Sequence, residues 1–128
     1  GCSYTGSLIV TGNLTIGRTV VDGNIKAREA IQVGRSARIT GSLICADRIE
    51  LHEHASVAGP LISETEIVLG SGTTIGSPEA PTTISADNLL AISGAIAHGT
   101  IWAEKSGLVG ALMRRWRERA LTLLLLAF

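Results

Sequence analysis

Residues Ile39–Leu43 (ITGSL) and Val57–Leu61 (VAGPL) are two copies of one phrase, in which a central glycine is flanked at two positions' distance by apolar residues. The copies are set 18 residues apart. The leading residue of the phrase aligns along the chain with spacings of 17, 18, 18, 18 and 17 residues, at Tyr4, Val21, Ile39, Val57, Ile75 and Ile92. A fixed period of this size indicates stacked units that share one core.

Further apolar columns run in step with this one. They comprise Leu8, Ile25, Leu43, Leu61 and, with one copy skipped, Ile96; then Leu14, Ile31, Ile49, Ile67 and Ile84; then Ile16, Val33, Leu51 and Leu69; and a column of smaller residues, Val10, Ala27, Cys45 and Ser63. Helical spacing is absent, and the segments are short and β-branched, which favours strands. Three strands per turn, stacked roughly 4.8 Å apart, predict an all-β, three-sided parallel β-helix of about six turns in one domain, residues 1–104.

Composition is consistent with this prediction. The chain is 45% hydrophobic but only 3% aromatic, as expected for a narrow interior filled by Ile, Val and Leu. The net charge of zero is the sum of +3 over residues 1–48, −7 over 49–104 and +4 over 105–128. The basic residues have no interleaved aromatics, so no nucleic-acid partner is predicted.

Few residues suggest a catalytic, redox or metal-binding role. Cys2 and Cys45 are expected to be reduced thiols, because two cysteines make no disulfide framework and Cys45 falls in the small inward column. His52 and His54 would share one side of a strand and bind zinc only with a third ligand, which is missing nearby, so exposed corner histidines are the favoured interpretation. His98 is expected to point inward or to cap the end. No catalytic, cofactor or metal site is predicted, and the chain is not expected to be an enzyme.

The pattern is interrupted at residues 77–81, where Glu79 and Pro81 occupy positions that are apolar or small in other copies. Proline cannot donate a ladder hydrogen bond. A surface loop or bulge is predicted there, with the pattern resuming at Ile84.

The C-terminal segment, residues 105–128, has a different period. From Gly107 onwards apolar residues follow helical spacing, which predicts a basic, amphipathic helix. Three interpretations stay open: a helix lying on a membrane surface, the start of a transmembrane helix, or a cap over the open end of the β-helix. The predicted membrane contacts are Arg114, Arg115, Trp116, Arg117, Arg119, Leu123 and Leu124.

The period and the phrases at Val21–Ile25, Ile39–Leu43, Val57–Leu61 and Ile92–Ile96 resemble those of the bactofilins, a bacterial polymer-forming cytoskeletal family. The resemblance covers residues 4–103. It implies a right-handed β-helix that assembles end to end without nucleotide on the cytoplasmic face of the inner membrane, as a scaffold for cell-shape or cell-wall enzymes. The basic apolar segment departs from the family pattern, because it is C-terminal, whereas bactofilins attach through a short N-terminal stretch.

Polymerisation is also expected on physical grounds. Each end of a β-helix exposes unpaired backbone groups above apolar side chains, here Tyr4, Leu8, Leu14 and Ile16 at one end and Ile92 and Ile96 at the other. The rival hypothesis is a hexapeptide-repeat acyltransferase or a related metal-dependent β-helix enzyme. Against it, large residues such as Leu43 and Leu61 stand where those enzymes carry small ones.

Overall fold

The computed structural model describes residues 2–111, which form sixteen β-strands and no helix. The strands, numbered in chain order, are β1 Cys2–Thr5, β2 Leu8–Val10, β3 Leu14–Ile16, β4 Thr19–Asp22, β5 Ile25–Ala27, β6 Ile31–Val33, β7 Arg38–Ile39, β8 Leu43–Cys45, β9 Ile49–Leu51, β10 Ser56–Val57, β11 Leu61–Ser63, β12 Glu66–Leu69, β13 Thr74–Ile75, β14 Thr82–Ile92, β15 Ile96–Ala97 and β16 Gly99–Ala111.

The strands form three parallel stacks wound as a β-solenoid of six turns. Stack one runs β1-β4-β7-β10-β13-β15. Stack two holds β2, β5, β8 and β11, and stack three holds β3, β6, β9 and β12. The long strands β14 and β16 continue both of these stacks, since β14 pairs with β11 through one half and with β12 through the other. The predicted all-β parallel repeat fold is confirmed.

Ladders of equivalent residues fill the interior. Val21, Ile39, Val57 and Ile75 stack in register, and so do Leu43 and Leu61 of the next column. Each of these side chains is at most 2% exposed. The predicted columns therefore hold through the fourth turn, because one 17- or 18-residue copy makes one complete turn there.

Glycine in the repeated phrase stands at a corner where successive turns nearly touch. A Cβ atom added to Gly41 would lie 2.3 Å from the carbonyl oxygen of Gly23, and one added to Gly59 would lie 2.6 Å from the same atom of Gly41. Next to this corner, the side-chain oxygen of Asn24 accepts a hydrogen bond from the backbone N–H of Ser42 at 2.9 Å. Glycine is needed there because the neighbouring backbone leaves no room for a side chain.

The register after the fourth turn differs from the prediction. Residues 77–81 form a loop, as predicted, which is closed by hydrogen bonds between Ser77 and Ala80. The loop is a five-residue insertion, however, so Ile75 stacks on Ala97 rather than on Ile92. Similarly, Leu61 stacks on Ile84, which the sequence had placed in a different column.

The repeat also extends further than predicted. Residues 105–111, expected to begin the C-terminal helix, belong to β16, which pairs with β14 along both stacks. Pairing with the open edge of β14 satisfies the backbone hydrogen-bonding groups of this segment. These residues therefore form a strand, although their apolar residues have helical spacing. The remainder of the predicted helix lies outside the described residues.

Candidate assembly surfaces at the ends of the solenoid

The two ends of the solenoid carry open strand edges. In the first turn, β1, β2 and β3 each have one parallel neighbour, in the second turn. In the last turn, β15 pairs with β13 and β16 pairs with β14. Among the described residues no strand covers the other edge of either turn. Each end therefore presents a row of backbone donors and acceptors that another strand can pair with.

Four apolar residues of the first turn lie at the end of the core, and we call them the N-terminal end surface: Tyr4, Leu8, Leu14 and Ile16. All four were predicted to be there. Tyr4 stacks on Val21 in the core column and is 42% exposed. Leu8 and Leu14 are half-buried against the main core, and Ile16 is buried.

The C-terminal end surface differs from the predicted one. Its core-column residues are Ala97, Ile101, Ala103 and Val109, which stack on the fifth turn. Ile101 and Val109 are 42% and 71% exposed, although their partners Ile84 and Ala91 are buried.

The predicted residues Ile92 and Ile96 do not form this surface. Ile92 ends the fifth turn and is 1% exposed. Ile96 lies in the last turn and is 53% exposed, but it stacks on Thr74 in an outward column. Treating residues 77–81 as a pure insertion would have revealed Ile101 and Val109 in the sequence.

Both end turns are nearly uncharged. Residues 2–17 contain no Asp, Glu, Lys or Arg. In the last turn, β16 carries Glu104 and Lys105, and the Lys105 ammonium lies 3.3 Å from the Asp87 carboxylate of the turn below. Contact between two such ends therefore buries little charge.

The outward side of stack two carries an apolar column of its own. Ile9, Ile44 and Ile62 line a shallow groove of about 570 Å³ together with Lys26. Ile9 is 78% exposed and Ile62 is 37% exposed. Further along the same face, Trp102 is 62% exposed. These residues point sideways and would not take part in end-to-end contact.

The histidines occupy corners. β9 ends at Leu51, and His54 has a left-handed backbone with φ of 62°, so His52 and His54 do not alternate on a strand. The His52 ring lies 3.4 Å from the Glu50 carboxylate. His98 lies between β15 and β16 and is half-buried. Within residues 2–111, no three His, Cys, Asp or Glu side chains are placed to share a metal ion.

The two cysteines are free thiols in different surroundings. Cys2 is exposed, whereas Cys45 is buried and donates to the Asp47 carbonyl at 3.1 Å. Burial raises the pKa of the Cys45 thiol. Cys45 is therefore a packing residue of the small column, as predicted.

The predicted membrane contacts, Arg114 to Leu124, lie outside the described residues. In the part of the chain that the structure describes, no helix has the length and hydropathy of a membrane span.

Comparison of the chain with protein-family models, with curated proteins and with solved structures finds no match.

Proposed function

We propose that the protein is a structural scaffold that self-assembles end to end into filaments. The observation that carries the proposal is that, within residues 2–111, the first and last turns of the six-turn solenoid have open strand edges, apolar core columns and little charge. Contact between a last turn and a first turn would continue all three stacks from one molecule into the next. It would pair the open edges and stack Tyr4 on Ala97, Leu8 on Ile101 and Ile16 on Val109, the last residues of the same three core columns.

The geometry of such a contact favours a filament. A contact between two different surfaces that does not close on itself generates an open chain of subunits. Stacking needs no nucleotide, because apolar burial and strand pairing supply its free energy. The resemblance of the repeat to the bactofilins supports the same function.

Electron microscopy of the purified full chain tests the proposal. The wild type is expected to form filaments, and Val109→Asp and Tyr4→Asp are each expected to raise the concentration needed for assembly about tenfold or more, since a junction would then bury a carboxylate, at a cost above 1.4 kcal/mol. Trp102→Asp and Ile9→Asp are matched controls in the same end turns. Their side chains point sideways, so filaments should persist. Small, uniform particles of wild type at all salt and protein concentrations would disprove the proposal.

The two end variants also report polarity. If the contact is head to tail, each variant alone is monomeric, and a mixture forms dimers through the two intact ends. If like ends meet, each variant dimerises alone. Light scattering or analytical ultracentrifugation distinguishes these cases.

Membrane attachment through the basic C-terminal segment and a role at the inner membrane with cell-wall enzymes stay predictions from the sequence. Flotation of the full chain with anionic liposomes measures the first. Arg114→Glu with Arg115→Glu should reduce flotation if the arginines contact lipid. The acyltransferase alternative has no supporting observation in residues 2–111, and a zinc-containing trimer would be needed to revive it.

A further inference from the structure

One outward face of the solenoid carries buried apolar side chains. In stack three, Val68 lies between the core residues Ile67 and Leu69 on β12, so its side chain points away from the main core. Val68 is nevertheless 0% exposed. It belongs to a second apolar cluster, separate from the main core, which we call the apolar strip: Val68, Leu90, Ile92, Leu108 and Ala111.

Stacking on neighbouring turns does not explain this burial. Ile62 occupies the equivalent outward position in stack two, with neighbours in the turns on both sides, and remains 37% exposed. Leu90, outward in stack three, is 3% exposed. Every strand within residues 2–111 belongs to one of the three stacks, so none of them lies over the apolar strip.

We propose that the apolar strip is the docking site of this chain's own residues 112–121. This segment follows directly from Ala111, which is itself a member of the strip. It begins with Leu112 and Met113 and continues with Trp116 and Ala120, which share one side of a helix. In this arrangement residues 112–121 do not cap the last turn of the solenoid.

Length agrees with this placement. The buried outward positions extend from Ala111 in the last turn to Glu50 in the third, whereas Thr15 of the first turn is exposed. Three turn spacings are about 14 Å, which a helix of roughly ten residues covers. Residues 112–121 supply that number.

The charges of the segment and of the strip's surroundings also favour this placement. The face on which the strip lies carries Glu66, half-buried, and Glu50, which is 6% exposed. Residues 49–104 contain seven Asp or Glu and no Lys or Arg. The docking segment contains four arginines, at Arg114, Arg115, Arg117 and Arg119. A helix seated by Leu112, Met113 and Trp116 would place arginines along its flanks, within reach of this acidic half.

The fluorescence of Trp116 tests the proposal in the full chain. The protein used carries Trp102→Phe, which removes the other indole, and Tyr4→Asp, which limits assembly. A docked Trp116 should emit at short wavelength and be protected from acrylamide. Val68→Asp should shift its emission to the red and increase quenching. Ile62→Asp, outward on stack two, should change neither. Red-shifted, fully quenched Trp116 in buffer would overturn the proposal, and emission that turns blue only on addition of anionic vesicles would assign the segment to the membrane.

A cross-link identifies the occupant and does not depend on Val68→Asp folding. In a Cys2→Ser background, Leu90→Cys with Met113→Cys should form a disulfide within one chain under mild oxidation. Ile62→Cys with Met113→Cys is the control and should not. A disulfide found only between two chains would overturn docking in favour of a second copy, and so would the absence of any disulfide. Because the readout is made on single chains, it is independent of filament formation.

Discussion

Gly41 and Gly59 mark the corner at which each turn lies closest to the next. Gly59→Ala would place a methyl group against the Gly41 backbone, because the new Cβ atom would lie 2.6 Å from the Gly41 carbonyl carbon. Backbone atoms of a stacked turn cannot move aside to relieve this contact, whereas the end of a flexible side chain could. We expect the free energy of unfolding to fall by about 1–3 kcal/mol, measured as a lower urea midpoint.

Gly17→Ala, at the corner between β3 and β4, is the control for this prediction. An added Cβ atom at Gly17 meets nothing within 4 Å. We expect its urea midpoint to be equal to or above that of wild type. Equal losses in the two variants would contradict the close-approach explanation.

The burial of Cys45 should slow the reaction of its thiol with disulfide reagents and should make the stability of the fold depend on pH. Burial raises the pKa of its thiol above the ordinary value of 9.0, so the folded state holds the proton more tightly than the unfolded state. Its contribution to stability is therefore complete below pH 9 and is lost as the pH rises through the folded-state pKa.

Reaction with a chromophoric disulfide reagent measures both effects. At neutral pH, Cys2 should react quickly and Cys45 only on unfolding. Between pH 8 and 10, the urea midpoint of wild type should fall more than that of Cys45→Ala. Equal reaction rates of the two thiols would show that Cys45 is accessible.

At the scale of elements, the loop at residues 77–81 is an independent insertion. Its hydrogen bonds run between Ser77 and Ala80, and its removal would join Gly76 to Thr82, which restores the four-residue interval from Ile75 to Ile84 found between Val57 and Leu61. We expect the deletion to retain the β-sheet circular dichroism signal and to change stability by less than about 1 kcal/mol.

Deletion of residues 42–46 is the contrasting control. It removes the same number of residues from within a stacked turn and eliminates β8, so the ladders of Leu43 and Cys45 are interrupted. We expect this variant to unfold or aggregate. A similar loss from the 77–81 deletion would mean that the loop supports the stack.

At the scale of the whole molecule, the distribution of charge predicts how assembly responds to salt. The chain has a basic and an acidic half, but its first turn carries no charge and Lys105 of its last turn is paired with Asp87. End-to-end contact should therefore depend on apolar burial. We expect the assembly concentration to change little between about 0.05 and 0.5 M NaCl, measured by sedimentation.

Sulfate provides the complementary measurement, since it strengthens apolar burial and should promote assembly. A steep loss of filaments between low and moderate NaCl, where the screening length falls through about 10 Å, would instead show that the charged halves contact each other between molecules.

Much of the fold was predictable because a parallel stack repeats its core in the sequence. Columns such as Val21, Ile39 and Val57 had to be apolar, since each is buried by the turns above and below it. The N-terminal end surface was predictable for the same reason, because within the described residues no earlier copy stacks on the first one. Beyond residue 76 the predicted register was wrong. Apolar residues recur so often there that the columns can be aligned either with or without an insertion at residues 77–81.

The sequence by itself determined the strand period and the stacking, and it predicted an apolar surface at each end. Only the tertiary structure decided that residues 77–81 bulge out, that β16 extends to Ala111 and that Ile101 and Val109, not Ile92, lie at the C-terminal end. It also placed Val68 and Leu90 on a buried outward face. The physical reason is that register depends on which backbone groups pair across turns, and periodicity within one chain does not specify that pairing after an insertion.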